Sequence, residues 1–309
     1  MANGQLTDAQ LKTLVDDDDT PDELIADYFE FDEKTLPGGI DEAEIAALED
    51  IPNLSTANEG KIGWFNRRRR RKLDKRFRKR ADDGFNGLTM VSEGDSWFHY
   101  PVRLDDVIEH LFEDPKVNIL SRAFAGDWLS NIAKEKEYLA ALDWLKPEVF
   151  LVSGGGNDLV GKERLKWVLR RYEVGREADW YLGGAFDRVM EEMEELYTGL
   201  FDELTDRYPA MKIIGHGYDH PIPDGGKWLG EPMEIIGIED AALQREIARL
   251  MINRYNDVRI ALAAKYAQVS HVDCRGVVQE WHDELHPTSK SFGLVAAEFK
   301  KVIADALND

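Results

Sequence analysis

The chain has 309 residues, with 60 Asp and Glu against 39 Lys and Arg, a formal net charge of −21 and a single cysteine, Cys274. That length supports one large domain, or one domain with an extension, and a substantial core. An internal disulfide is excluded, no apolar run is long enough for a membrane helix, and no nucleic-acid partner is expected of so acidic a chain.

The start of the chain, Met1-Ala2-Asn3-Gly4-Gln5, lacks the basic and apolar regions of a secretory signal, so a cytoplasmic location is the default expectation. Residues 1–60 hold 17 acidic residues against two lysines, a net of −15, and include the run Asp16 to Asp19 and the turn formers Pro37-Gly38-Gly39. They read as an acidic arm with short helices at most. Residues 61–80 reverse the sign, with 12 Lys and Arg against Asp74, a net of +11. On a helix Phe65, Leu73 and Phe77 fall towards one side. The segment 67–80 reads either as a docking patch for an anionic partner or as a basic helix neutralised by its own acidic domain; the second is the simpler expectation. Residues 1–84 are therefore taken as an N-terminal extension and 85–309 as the main domain.

From Leu88 onward short apolar runs alternate with amphipathic stretches. Leu88 to Val91, Val117 to Leu120, Val149 to Val152, Lys212 to Gly215 and Val269 to Val272 read as buried parallel strands. The spacing of Phe186, Val189, Met190, Met193, Leu196, Tyr197, Leu200, Phe201 and Leu204 is helical, and its methionines are core. Five such strands with helices between them predict a doubly wound, three-layer α/β/α domain, in which ligands collect at the carboxyl ends of the strands. The connection 162–186, rich in Arg, Trp and Tyr, is long enough for a lid.

The chemistry-bearing residues follow the strands. Gly94-Asp95-Ser96-Trp97 comes after the first, Ala125-Gly126-Asp127-Trp128 after the second, and Gly156-Asn157-Asp158 after the third. Asp283-Glu284-Leu285-His286-Pro287 comes near the end. A serine hydroxyl attacks only if an imidazole takes its proton, and the imidazole needs a carboxylate to set its tautomer. Ser96, His286 and Asp283 supply that set, while the backbone N–H groups of Ser96 and Gly126 with the Asn157 amide are candidates for an oxyanion hole.

Four such motifs in this order resemble the SGNH (GDSL-type) hydrolase family, whose name-giving residues correspond here to Ser96, Gly126, Asn157 and His286. The resemblance covers roughly residues 85–309. It implies a five-stranded sheet in the flavodoxin-like order 2-1-3-4-5 and a serine esterase, lipase or thioesterase working through an acyl-enzyme. It implies a small-molecule, glycan or lipid ester as substrate and no cofactor. The chain departs from the pattern at Ser92-Glu93, where an apolar strand end is usual, and at Gly154-Gly155-Gly156, with an extra glycine. Phe98 replaces the second glycine of the elbow found in α/β-hydrolases.

Other readings compete at single motifs. Gly156 to Glu163 nearly matches a phosphate-binding loop, but Glu163 replaces the hydroxyl that would hold magnesium. His216-Gly217-Tyr218-Asp219-His220 offers metal-ligand types on a loop, and a wall of the substrate pocket is the preferred reading, so no metal is expected. Trp97, Trp128, His216 and His220 are the candidate pocket residues. Cys274 reads as a buried structural thiol and His282 as an exposed neighbour of the motif. The alternatives to a hydrolase are a noncatalytic scaffold recruited through the charged N-terminal segments, or an acyltransferase.

Overall fold

A computed structural model describes residues 8–17, 20, 60–100 and 104–308. The expectation for an acidic arm over 1–60 therefore falls largely outside the described residues. The elements are α1 (Asp8–Asp16), α2 (Gly60–Asp82), β1 (Leu88–Glu93), α3 (Val107–Phe112), β2 (Val117–Ser121), α4 (Leu129–Glu135), α5 (Tyr138–Leu145), β3 (Val149–Val152), α6 (Gly156–Val160), α7 (Leu165–Val168), α8 (Gly184–Arg207), β4 (Lys212–His216), α9 (Gly230–Ile235), α10 (Ala241–Ala263), β5 (Val269–Val272) and α11 (Ser289–Asn308).

The strands form one five-stranded sheet in the order β2-β1-β3-β4-β5, and every pair is parallel. Two of the strands, β3 and β5, match the apolar runs read from the sequence, and the other three extend one or two residues further. All four residues of β3 are buried, as a central strand covered by helices on both faces requires. In α8 the residues at helical spacing, Phe186, Val189, Met190, Met193, Tyr197, Leu200, Phe201 and Leu204, are the ones buried. Helices α3 and α11 pack on each other, as do α8 and α10. Register pairs Glu93 with Val152, Val152 with Gly215, and His216 with Val272, so the ends of β1, β3, β4 and β5 open on one edge.

Helix α2 lies against β2, with Phe65, Leu73 and Phe77 buried. Its cations are largely spent on the chain itself. Arg69 pairs with Asp106 at 2.7 Å and Arg70 with Glu137 at 2.7 Å, while Arg76 meets Glu109 and Asp74 meets Arg122. Arg80 donates to the carbonyls of Phe112, Asp114 and Val117. Arg68 is nearly buried and donates to the carbonyls of Val15, Asp17 and Thr20, tying α1 to α2. This is the arrangement of a basic helix balanced by its own domain.

The connection 162–186 is pinned to the body of the protein. Tyr172 N–H donates to the Ile236 carbonyl at 2.9 Å, and within the connection Arg170 N–H donates to the Tyr181 carbonyl at 3.1 Å. Its own Leu165, Val168, Leu169, Tyr181 and Leu182 are buried in the core. No helix of the described residues is long and apolar enough to cross a membrane.

Candidate active site

The turn after β1 is shaped by close packing. A Cβ on Gly94 would stand 2.6 Å from the Ser153 Cβ, and its φ of +155° is one that side chains disfavour. The Asp95 carbonyl then accepts from Phe98 and His99 N–H, closing a tight turn. The effect is to lift one side chain out of the core: from Val91 to Tyr100 every residue is buried except Ser96.

Ser96 Oγ lies 2.8 Å from His286 Nε2, and His286 Nδ1 lies 2.9 and 2.8 Å from the two oxygens of Asp283. Residues from opposite ends of the domain thus form a continuous hydroxyl, imidazole and carboxylate chain. Asp283 Oδ1 also accepts from the backbone N–H of Leu285 and His286, each at 2.8 Å, which folds the loop around the carboxylate. Burial acts to raise the Asp283 carboxyl, but His286 and these hydrogen bonds outweigh it and hold the group below its ordinary range. An ionised carboxylate facing Nδ1 requires the proton there, leaving Nε2 to receive one from Ser96.

The His286 loop is fastened at several points. The Trp97 indole donates to the Leu285 carbonyl at 3.2 Å, and the Tyr100 ring meets the His286 ring edge-on at 5.0 Å. Tyr100 N–H in turn donates to Asp106, the partner of Arg69, so the basic helix buttresses the loop that carries the Tyr100 ring. Asp106 is fully buried, and burial pushes its carboxyl up to about 6 although Arg69 pulls it back. His282 is half-buried, its N–H bonded to the His286 carbonyl.

Glu284, between Asp283 and His286, is 3% exposed and accepts five backbone N–H groups from the loop 224–230. Oε1 takes those of Asp224, Gly226 and Gly230 at 3.0, 3.0 and 2.9 Å, and Oε2 those of Trp228 and Leu229 at 3.1 and 2.9 Å. Gly226 permits this approach, since a Cβ there would stand 2.7 Å from the carboxylate carbon. Nothing in the local sequence distinguishes Glu284 from other acidic residues; the only signal is a glycine-rich loop more than fifty residues away.

Asn157 and Ser96 line one cavity together with His286. The Asn157 amide donates one hydrogen to the Asp127 carbonyl at 2.8 Å, which orients the amide and fastens its loop to the Gly126 turn. Its second N–H hydrogen remains for a bound oxygen. Gly126 has a φ of +85°, so its turn needs glycine, but it does not line the cavity. Asp158 caps α4 through Leu129 N–H at 2.8 Å, and Asp95 accepts from Trp97 N–H at 3.1 Å.

Three of the four candidate pocket residues lie elsewhere. Trp97 lines the cavity, whereas Trp128 packs over Gly161 and Arg164, and His220 bonds to Asn253 at 2.8 Å. His216 is fully buried because β4 runs one residue further than its apolar run and turns the ring into the core. There Nε2 lies 2.8 Å from Ser153 Oγ, which donates to Asp95 at 2.7 Å; Tyr218 donates to the other Asp95 oxygen. This second serine, histidine and aspartate set has exposures of 0, 0 and 2%. Burial pushes His216 down to about 4 and the Cys274 thiol well above its ordinary value.

Among the described residues no cluster of His, Cys, Asp and Glu is arranged to hold a metal. The segment resembling a phosphate-binding loop is helical from Gly156, and Glu163 pairs with Lys166.

No protein-family model matches the chain, and no curated protein matches it. Solved structures of similar fold include an acetylxylan esterase from Geobacillus stearothermophilus (15% identity, 71% of this chain and 96% of that one, TM-score 0.43). An extracellular lipase from Streptomyces rimosus is 13% identical over 70% of this chain and all of that one, with a TM-score of 0.47. A carbohydrate esterase family 3 protein from Talaromyces cellulolyticus is 15% identical over 72% of this chain and 99% of that one, with a TM-score of 0.42. With TM-scores below 0.5, these likenesses decide nothing about the chemistry of this chain.

Proposed function

We propose that the protein is a serine hydrolase of the SGNH type that cleaves carboxylic esters through an acyl-enzyme. The observation that carries the reading is the hydrogen-bonded series Ser96, His286, Asp283 opening on a cavity that Asn157 also lines.

Ser96 Oγ attacks the ester carbonyl carbon as its proton passes to His286 Nε2, and Asp283 stabilises the imidazolium. The carbonyl oxygen becomes an oxyanion and is met by the free Asn157 N–H, with the backbone N–H of Ser96; Gly126, which does not line the cavity, is left with the shaping of its turn. Collapse breaks the bond to the alcohol oxygen, which takes the proton from His286 and leaves. A water then gives its proton to His286 and attacks the acyl carbon. The bond to Oγ breaks, Oγ recovers the proton, and the free acid departs.

The test is labelling with a fluorophosphonate, followed by mass spectrometry of the labelled peptide and hydrolysis of p-nitrophenyl acetate. The label is expected on Ser96, and Ser96→Ala is expected to lose both labelling and turnover. A label on Ser153, or wild-type turnover in Ser96→Ala, refutes the assignment.

A further inference from the structure

The walls of the cavity beside Ser96 bear on which half of an ester it holds. We infer that it takes a short aliphatic acyl group of about two to four carbons, a limit set by Leu159, Val160, Met251 and Ile252; this rests on the reading of Ser96 as nucleophile. Leu159 and Val160 come from α6, Met251 and Ile252 from α10, and all four are buried side chains of the core.

The remaining polar groups of the wall are engaged with the protein. Asp219 accepts from the N–H groups of His220, Gly276 and Val278, each at 2.7 Å. The Tyr218 hydroxyl donates to Asp95 and accepts from Gly156 N–H at 3.1 Å. Asp95 is held by Trp97 N–H and Ser153. Among the described polar side chains of the wall, Ser96, Asn157 and His286 are the ones left to meet a ligand, and these are the groups the proposed reaction uses. A hydroxylated or charged moiety entering the cavity would give up its water with nothing in exchange, whereas a hydrocarbon gains by burial.

Size sets the length. The cavity measures about 40 Å3, and at roughly 10–15 Å3 for each water it has room for about three waters. That matches an acetyl to butyryl group, and the rest of an octanoyl chain would find no further room within these walls. The acyl half is the natural occupant because it stays bonded to Ser96 Oγ after the alcohol departs. The apolar walls suit the half that remains.

The experiment is a series of p-nitrophenyl acetate, butyrate, pentanoate and octanoate, with a second series of acetates of lengthening alcohols. Acetate and butyrate are expected to exceed octanoate at least tenfold in kcat/KM, while alcohol length has little effect. An octanoate rate equal to or above that of butyrate, or a limit on the alcohol instead of the acyl group, overturns the inference. Met251→Ala is expected to raise octanoate relative to acetate at least tenfold. Ile252→Val, the milder change, is expected to raise pentanoate relative to butyrate by about fourfold, the value of one buried methylene. Unchanged ratios in folded variants also overturn it.

Calorimetric titration of Ser96→Ala with butyramide and octanamide reads the cavity without turnover. Butyramide binding at least as tightly as octanamide supports the short pocket even if no ester is cleaved, in which case the catalytic reading alone fails. Tighter binding of octanamide, or no binding of either, counts against the pocket.

Discussion

The carboxylate of Glu284 offers the sharpest test of how the candidate site is held. Glu284→Ala strips the acceptor from five backbone N–H groups, of which those of Gly226, Leu229 and Gly230 belong to buried residues. Each buried donor left unpaired costs about 1–3 kcal/mol. The exposed Asp224 and half-buried Trp228 can turn to water at little cost. Some relaxation of the loop brings the total to about 4 kcal/mol, in the range for breaking a buried charge's partnership. At about 2 °C for each kcal/mol in a domain of this size class, the melting temperature is expected to fall by roughly 8 °C. Glu284→Gln retains one carbonyl oxygen but turns an NH2 towards the other donors, so its loss is expected to lie between. Because Glu284 sits between Asp283 and His286, kcat for p-nitrophenyl acetate is expected to fall in both variants, with KM little changed, and Gln to recover part of the loss. Circular dichroism melts and steady-state hydrolysis read both effects. A melting temperature within 1 °C of wild type in Glu284→Ala would refute the reasoning.

Asn157→Ala removes the oriented amide and is expected to lower kcat by roughly 100 to 1,000-fold with slight change in the melt, since one oxyanion donor carries that much; wild-type turnover would remove Asn157 from the site. Arg69→Met leaves the buried Asp106 without its cation and is expected to cost about 3–5 kcal/mol in chemical denaturation, while a loss below about 1 kcal/mol would show the pair to be ornamental. Burial pushes the Asp127 carboxyl from 3.8 up to about 7, so the folded state binds a proton that the unfolded state has released. Its contribution to stability is therefore greatest below about pH 4, falls as pH rises, and levels off above about 7. Asp127→Asn is expected to gain on wild type by up to about 4 kcal/mol between those limits, and a parallel pH dependence of the two proteins would contradict the sign.

The fold was legible because parallel strands buried on both faces must be short apolar runs. Val149 to Val152 needs no context to be recognised, whereas Val269 to Val272 is an edge strand whose Ser270 and His271 are half-buried, and its signal is weaker. The candidate triad was legible because Ser96 follows a strand directly and Asp283 and His286 are neighbours in sequence. The supporting shell was not. His216 follows an apolar run just as Ser96 does, and one further residue of strand decides that its ring enters the core. Met251 and Ile252 carry the spacing of core helix residues and are core residues; that their far side meets a cavity follows only from where α10 docks. Glu284 depends on the closure of a loop distant in sequence. Buried Glu93, odd at the end of an apolar strand, accepts from Gly94 N–H at 3.0 Å, and burial raises its carboxyl well above the usual range.

The two serine, histidine and aspartate sets show that composition does not make a nucleophile; the order of hydrogen bonds does. A serine has one proton to give. At Ser96 the side-chain acceptor is Nε2 of an imidazole whose other nitrogen faces Asp283, so moving the proton towards the ring is met by a carboxylate ready to stabilise the new charge. At Ser153 the carboxylate of Asp95 bonds the serine itself, and the far nitrogen of the His216 imidazole meets the Gly217 carbonyl at 2.6 Å and Cys274 Sγ at 3.9 Å in place of a carboxylate. Burial keeps His216 neutral down to about pH 4, which opposes the charged form that a general base must pass through. The buried set instead joins β1, β3 and β4 beneath the turn that presents Ser96: Asp95 precedes Ser96, Ser153 follows β3, and His216 ends β4. Its work is to fix where the half-buried Ser96 stands, and in the proposed mechanism the chemistry is left to that hydroxyl.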